Sequence, residues 1–159
     1  MGLRSAGLYW RVFTGALKMS RFLFAYGTLH PRYAPAEIAP FAAKLTPIGE
    51  GFAYGVLYDL GGYPGAILDP SSQQTIAGTV FQLPDEPQIL DELDRYEECD
   101  PAAPDTSLFV RVLHSVALAT SGTLQCWIYV WKGDPTSATV IPSGRFRSGS
   151  PGAISESNA

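Results

Sequence analysis

Basic charge is scarce in this chain: 11 Lys and Arg stand against 15 Asp and Glu, for a formal net charge of −4. A surface that displaces counterions from nucleic acid needs clustered Lys and Arg, and so does one that holds anionic lipid. Neither partner is expected. No apolar run reaches the length of about eighteen residues that a membrane helix requires, so no span is expected either. Cysteine is limited to Cys99 and Cys126 and histidine to His30 and His114. That leaves no disulfide framework, no CxxC knuckle and no clustered set of ligands for a metal. The two thiols read as unpaired, in a reducing and hence cytoplasmic setting. Three motifs are also missing: the GxSxG elbow of a serine hydrolase, the GxxxxGK[ST] phosphate loop and the GxGxxG dinucleotide turn. Their absence removes a serine nucleophile of that type and the familiar modes of nucleotide binding.

What the chain does have is apolar bulk and turn residues. Hydrophobic residues make up 46% of it, with 16 Gly and 13 Pro, a composition that suits a globular fold of many short strands. Its 159 residues suffice for one domain with its own core. Residues 1–18 carry Arg4, Arg11 and Lys18 but no acid. They read either as a weak transit-like leader or, preferably, as an upstream extension with Met19 as the true start. A domain is expected over 19–147, followed by a flexible tail of small polar residues over 148–159.

Phe22 to Tyr26 reads as a short buried strand. A Pro-interrupted loop then leads to a short helix around Ala36 to Ala43. In "GEGFAYGVLYDLG" Phe52, Tyr54, Val56, Tyr58 and Leu60 alternate with Gly51, Ala53, Gly55 and Leu57. The small set suits the crowded inside of a small barrel. "GGYPGAIL" is a turn and a return strand, and "TIAGTVFQL" is another strand, stopped by Pro84. "PDEPQILDELDRYEE" opens like a helix, Pro first and acids near its positive end. "LFVRVLHSVAL" and "LQCWIYVW" are two further strands, so about six strands and one strong helix are expected, mostly antiparallel. The fold class is α+β, a small mixed and mainly antiparallel β-barrel with flanking helices.

One carboxylate in that helix lies on an unusual face. Leu90, Leu93 and Glu97 fall at i, i+3 and i+7, a single stripe, while Asp91, Asp94, Arg95 and Glu98 fall on the solvated side. A carboxylate in line with core leucines is partly desolvated, which raises its pKa toward neutral and suits it to take and return a proton. A rim carboxylate pairing with Arg95 or Arg111 fits the same periodicity, and spacing alone leaves both readings open.

The ordered set of motifs resembles the gamma-glutamylcyclotransferase-like superfamily, most closely its gamma-glutamylamine cyclotransferase branch. Tyr26-Gly27-Thr28-Leu29 matches the family's N-terminal signature, Tyr63-Pro64-Gly65 its central turn, and Leu93-Asp94-Arg95-Tyr96-Glu97 its acidic signature. Phe109-Val110-Arg111, Trp127 to Trp131 and Ile141-Pro142-Ser143-Gly144 match later segments, so the likeness spans about residues 21 to 146. The resemblance implies that Glu97 is the general acid/base. It further implies a substrate pocket of Tyr26, Gly27, Thr28, Leu29, Tyr63, Pro64, Gly65, Phe109 and Tyr129. The implied reaction cyclises a gamma-glutamyl group, releasing 5-oxoproline and an amine, with no metal or organic cofactor. The partner is a small gamma-glutamyl molecule, and the protein is expected to be a monomer or weak homodimer.

His30 follows the turn where relatives often carry a basic residue, so capture of substrate charge is expected to rest on Arg32 or on backbone alone. Phe109 stands where relatives commonly have Tyr. Three other readings stay open: a non-catalytic binding module on the same fold, removal of a gamma-glutamyl protecting group from a biosynthetic amine, and an oligomeric interaction protein using its aromatic strand. The identity of the leaving amine is not encoded in these motifs.

Overall fold

The computed structural model describes residues 21–32 and 34–147; the expected extension over 1–18 and tail over 148–159 lie outside them. The strands are β1 (Phe22–Ala25), β2 (Thr46–Asp59), β3 (Pro64–Leu68), β4 (Thr75–Gln82), β5 (Phe109–Leu118), β6 (Thr123–Trp131) and β7 (Thr139–Val140). Two helices, α1 (Ala39–Ala42) and α2 (Gln88–Tyr96), join them. The first helix is shorter than the expected Ala36–Ala43. Pro40 has no N–H and its ring is tolerated only in a first helical turn, so the helix can begin no earlier than just before it.

Five strands close on themselves in the order β2-β4-β1-β6-β5, and the ring shuts where Gly51 and Phe52 of β2 meet Leu118 and Ala117 of β5. All neighbours are antiparallel except β1 and β6. This is the small mixed, mainly antiparallel barrel that the alternation predicts. The 14-residue β2 is long enough to serve two sheets. Its first part pairs with β4, and from Gly55 onward it pairs with β3, with β7 joining at Tyr58 and Asp59.

The alternation in β2 resolves as expected. Gly51, Ala53, Gly55 and Leu57 face inward, beside Phe24, Ile76, Val80, Val116, Cys126 and Ile128. Small size is required at the seam: a Cβ on Gly51 would sit 2.9 Å from both the Ala117 carbonyl and the Val116 side chain. A second core lies outside the barrel wall. There Leu23, Ala25, Phe81, Phe109 and Tyr129 pack with Ile38 before α1 and with Ile89 and Leu93 of α2. Helix α2 is therefore held to the barrel by apolar burial, and its end is fixed in space.

That end is a Schellman turn. Cys99 N–H reaches the Asp94 carbonyl at 2.9 Å and Glu98 N–H the Arg95 carbonyl at 3.2 Å. Glu98 occupies the left-handed position, φ 53°, where glycine is usual, and Glu97 is the residue that caps the helix. Cys99 and Cys126 are both buried and unpaired with each other, as expected.

Candidate active site

Where β1 ends, the chain stops pairing and turns through Tyr26, Gly27, Thr28 and Leu29. Leu29 is buried and anchors the turn, while His30 N–H closes it on the Gly27 carbonyl at 3.1 Å. The N–H groups of Gly27, Thr28 and Leu29 find no acceptor among the described residues. Gly27 has no room for a side chain, because a Cβ there would lie 2.5 Å from Pro64 Cγ. Two hydroxyls lock the turn to its surroundings. The Tyr26 phenol donates to the Tyr129 carbonyl at 2.5 Å and accepts from Ala66 N–H at 3.2 Å, tying β1 to β6 and β3. Thr28 and Tyr96 share a hydrogen bond of 3.0 Å that ties the turn to the end of α2.

Glu97 faces this turn across a small open cleft, lined also by Tyr26, Thr28, Tyr63, Pro64 and Tyr129. Its carboxylate accepts no hydrogen bond and meets no cation among the described residues. Burial pushes its pKa up to about 8, with the neighbouring Glu98 charge adding to the effect. Tyr26 is held neutral, chiefly by burial and then by the Glu97 charge. The cleft thus opposes one uncompensated carboxyl to a row of open backbone donors.

Asp94, one turn earlier, departs from expectation. It is not solvated but 4% exposed, clamped by Arg111 through Nε–Oδ1 at 2.7 Å and Nη2–Oδ2 at 3.1 Å. The Tyr129 hydroxyl donates to Oδ1 at 2.7 Å, and the Arg111 guanidinium lies 4.5 Å above the Trp127 ring. The helical wheel assigns α2 a single packed face, but the helix presses a second face onto β5 and β6. Arg111 is consequently taken by Asp94, and Arg95 by Glu92 at 2.6 Å, so neither forms the ion pair with Glu97 that the rim reading needs.

Of the expected pocket residues, Tyr26, Gly27, Thr28, Leu29, Tyr63, Pro64 and Tyr129 line the cleft together with Glu97. Gly65 does not. It packs behind the wall, where a Cβ would fall 2.9 Å from Trp131. Phe109 is buried and lines an adjoining groove that shares Thr28, Tyr63 and Glu97 with the cleft. Arg32 lies in a different cleft, away from Glu97, so among the described residues the charge facing the pocket is left to backbone N–H groups. Sequence reasoning missed Phe24 and Ala25 as lining; only their place just before the Gly-Thr turn pointed there. No cluster of three or more metal-ligating side chains occurs among the described residues, and no helix among them is long and apolar enough to cross a membrane.

The family model for gamma-glutamyl cyclotransferase, AIG2-like, matches residues 23–148. An AIG2-like protein from Mus musculus superposes with a TM-score of 0.64 at 17% identity, over 84% of this chain and 92% of that one. YkqA from Bacillus subtilis gives 0.63 at 18%, over 87% of this chain but 44% of the YkqA chain, so this protein spans less than half of YkqA. A gamma-glutamyl cyclotransferase gives 0.51 at 15%, over 75% of this chain and 68% of its own. At these identities the likeness is one of fold. No curated protein matches by sequence.

Proposed function

The chain belongs to the gamma-glutamyl cyclotransferase, AIG2-like family, and on that premise we propose that it cyclises gamma-glutamyl amines or peptides, with Glu97 as general acid/base. The α-amine of the glutamyl group attacks its own side-chain carbonyl. A new C–N bond closes the five-membered ring, the amide C–N bond to the leaving amine breaks, and 5-oxoproline and the free amine depart. Nucleophile and electrophile are already tethered, which supplies a large effective molarity, roughly 10⁵ M or more in well-oriented cases. No enzyme nucleophile is needed.

The α-ammonium must lose a proton before it attacks, and the leaving nitrogen must gain one. A single carboxyl with a pKa near neutral serves both steps in turn. Glu97 suits this because its pKa of about 8 comes from burial and an adjacent like charge, with no cation among the described residues holding it ionised. That uncompensated carboxyl in the cleft is the observation on which the reading rests. The open N–H groups of Gly27, Thr28 and Leu29 form a concavity suited to the glutamyl α-carboxylate. Tyr26 is not assigned a proton-transfer role, since its hydroxyl already donates to the Tyr129 carbonyl.

The test is 5-oxoproline release from a panel of gamma-glutamyl amines and peptides, with the Glu97→Gln protein alongside. Release by the parent and its loss in a folded Gln variant is the expected result. Release that survives the substitution would remove the acid/base role from Glu97. A folded parent that releases nothing from any member of the panel would point to a binding module.

A further inference from the structure

The cleft that holds Glu97 does not end there. A groove adjoins it, sharing Thr28, Tyr63 and Glu97, and runs on between the β2–β3 turn and the segment that leads into β5. Tyr96, Leu108 and Phe109 wall it, with Glu98 beside them. In the proposed reaction the glutamyl head lies at the open N–H groups of Gly27, Thr28 and Leu29, and Glu97 serves both the α-amine and the departing nitrogen. The groove continues past Glu97, so it is the space open to the remainder of the leaving amine.

Its walls are fixed. Asp59 Oδ1 accepts from Gly61 N–H at 2.9 Å and from Gly62 N–H at 3.2 Å, and Leu60 N–H donates to the Tyr63 carbonyl at 2.8 Å. These bonds set the β2–β3 turn. Opposite it, Leu108 N–H donates to the Glu98 carbonyl and Lys132 N–H to the Leu108 carbonyl, both at 3.1 Å. Glu98 is thus held through its N–H and its carbonyl at a left-handed position where glycine is favoured, yet the residue kept there carries a carboxylate.

The charge of the groove is one-sided. Among the described residues no Lys, Arg or His lines it. Arg95, on the same helix, is engaged by Glu92, and no cation among the described residues pairs with Glu98. The Glu98 charge acts on Glu97, as the second cause after burial of its raised pKa, so the two carboxyls are close. Glu37, in the loop before α1, adds its charge at the Tyr96 phenol, which is raised chiefly by burial. Aromatic walls accept an alkyl stem and attract a cation, and a carboxylate without a partner holds an ammonium.

We propose that this groove receives the leaving amine and selects one whose alkyl stem ends in a second, positively charged amino group, with Glu98 as the residue that reads that charge. The preferred substrate is then a gamma-glutamyl diamine, in place of a gamma-glutamyl amino acid whose free carboxylate Glu98 repels. The inference rests on the cyclisation proposed above and gives Glu98 no proton to move.

The experiment compares three gamma-glutamyl amides with the same five-methylene stem, made from 1,5-diaminopentane, hexylamine and 6-aminohexanoic acid. They end in ammonium, methyl and carboxylate. The kcat/KM for 5-oxoproline release is measured for each with the parent, Glu98→Gln and Glu98→Lys proteins. The parent should favour the ammonium amide over the methyl amide by about fivefold, the scale of an exposed charge pair, and disfavour the carboxylate amide by a similar factor. Glu98→Gln should bring the three within about twofold of one another, and Glu98→Lys should reverse their order. Ratios are taken between amides within one protein, so the effect of Glu98 on the Glu97 pKa cancels. Affinities of the same amides for the Glu97→Gln protein, with and without Glu98→Gln, are measured by calorimetry and give the order even without turnover. Equal release of all three by the parent would overturn the preference and leave the cyclisation standing. No release, with the ammonium amide bound more tightly through Glu98, would uphold the groove and sink the cyclisation. An ammonium preference that survives both Glu98 substitutions, in proteins of parental melting temperature, would overturn the role of Glu98.

Discussion

Asp94 and Glu97 sit one helical turn apart, at the middle and the end of the same short helix, and both are withdrawn from water. Around Asp94 the barrel supplies a guanidinium and a phenol, three hydrogen bonds in all. Around Glu97 the described residues supply none, and the pKa rises to about 8. Asp94 is buried and Glu97 half-buried, and what sets them apart chemically is their partners. A buried carboxylate that is fully bonded is structural; one left without partners beside a cleft holds a transferable proton.

The widest separation between the two should appear in turnover. Glu97→Gln is expected to lower 5-oxoproline release by about 10²- to 10⁴-fold, the usual span for a general acid/base, with the melting temperature preserved or raised. Asp94→Ala should do the reverse. It strands Arg111 without its partner, and breaking a buried pair costs about 3–5 kcal/mol, readable as a shift in the urea unfolding midpoint.

Next in size is the pH dependence of stability. The folded protein keeps the Glu97 proton that the unfolded chain releases above pH 4.5, so the parent loses stability between pH 4.5 and about 8. Glu97→Gln should therefore melt above the parent at pH 9, by a few kcal/mol at most, and the gap should close toward pH 5. Smallest is the effect at Glu98. Its charge is the second cause of the high Glu97 pKa, so Glu98→Gln should move the rising limb of the kcat/KM pH profile to lower pH. Glu98→Gly should in addition relieve the left-handed backbone at φ 53°, for a gain of about 1 kcal/mol.

Much of this site was legible in the sequence because it is built from local pattern. The apolar run ending in Gly-Thr places a turn at the end of β1, and the Leu90, Leu93, Glu97 spacing carries the stripe through the helix cap to the cleft. The small residues of β2 face the barrel interior as their alternation requires. Asp94 was not legible, because its partners Arg111 and Tyr129 come from β5 and β6, and no helical wheel contains them. The choice between Arg32 and backbone for substrate charge was not legible for the same reason: proximity to Tyr26–Leu29 in the chain does not fix which cleft a side chain lines, and Arg32 lines a different one from Glu97. Gly65 was assigned to the pocket with its neighbours, but strand alternation turns it from Pro64 toward Trp131.

Carbon-detected NMR of the glutamate side chains reads the proton on the Glu97 carboxyl directly. In protein labelled at the Glu carboxyl carbon, one resonance should titrate with a midpoint near 8 and vanish in the Glu97→Gln spectrum. If the Glu97 resonance instead titrates near 4.5, the value of an exposed glutamate, the carboxyl is solvated and ionised throughout, and the account of it is wrong.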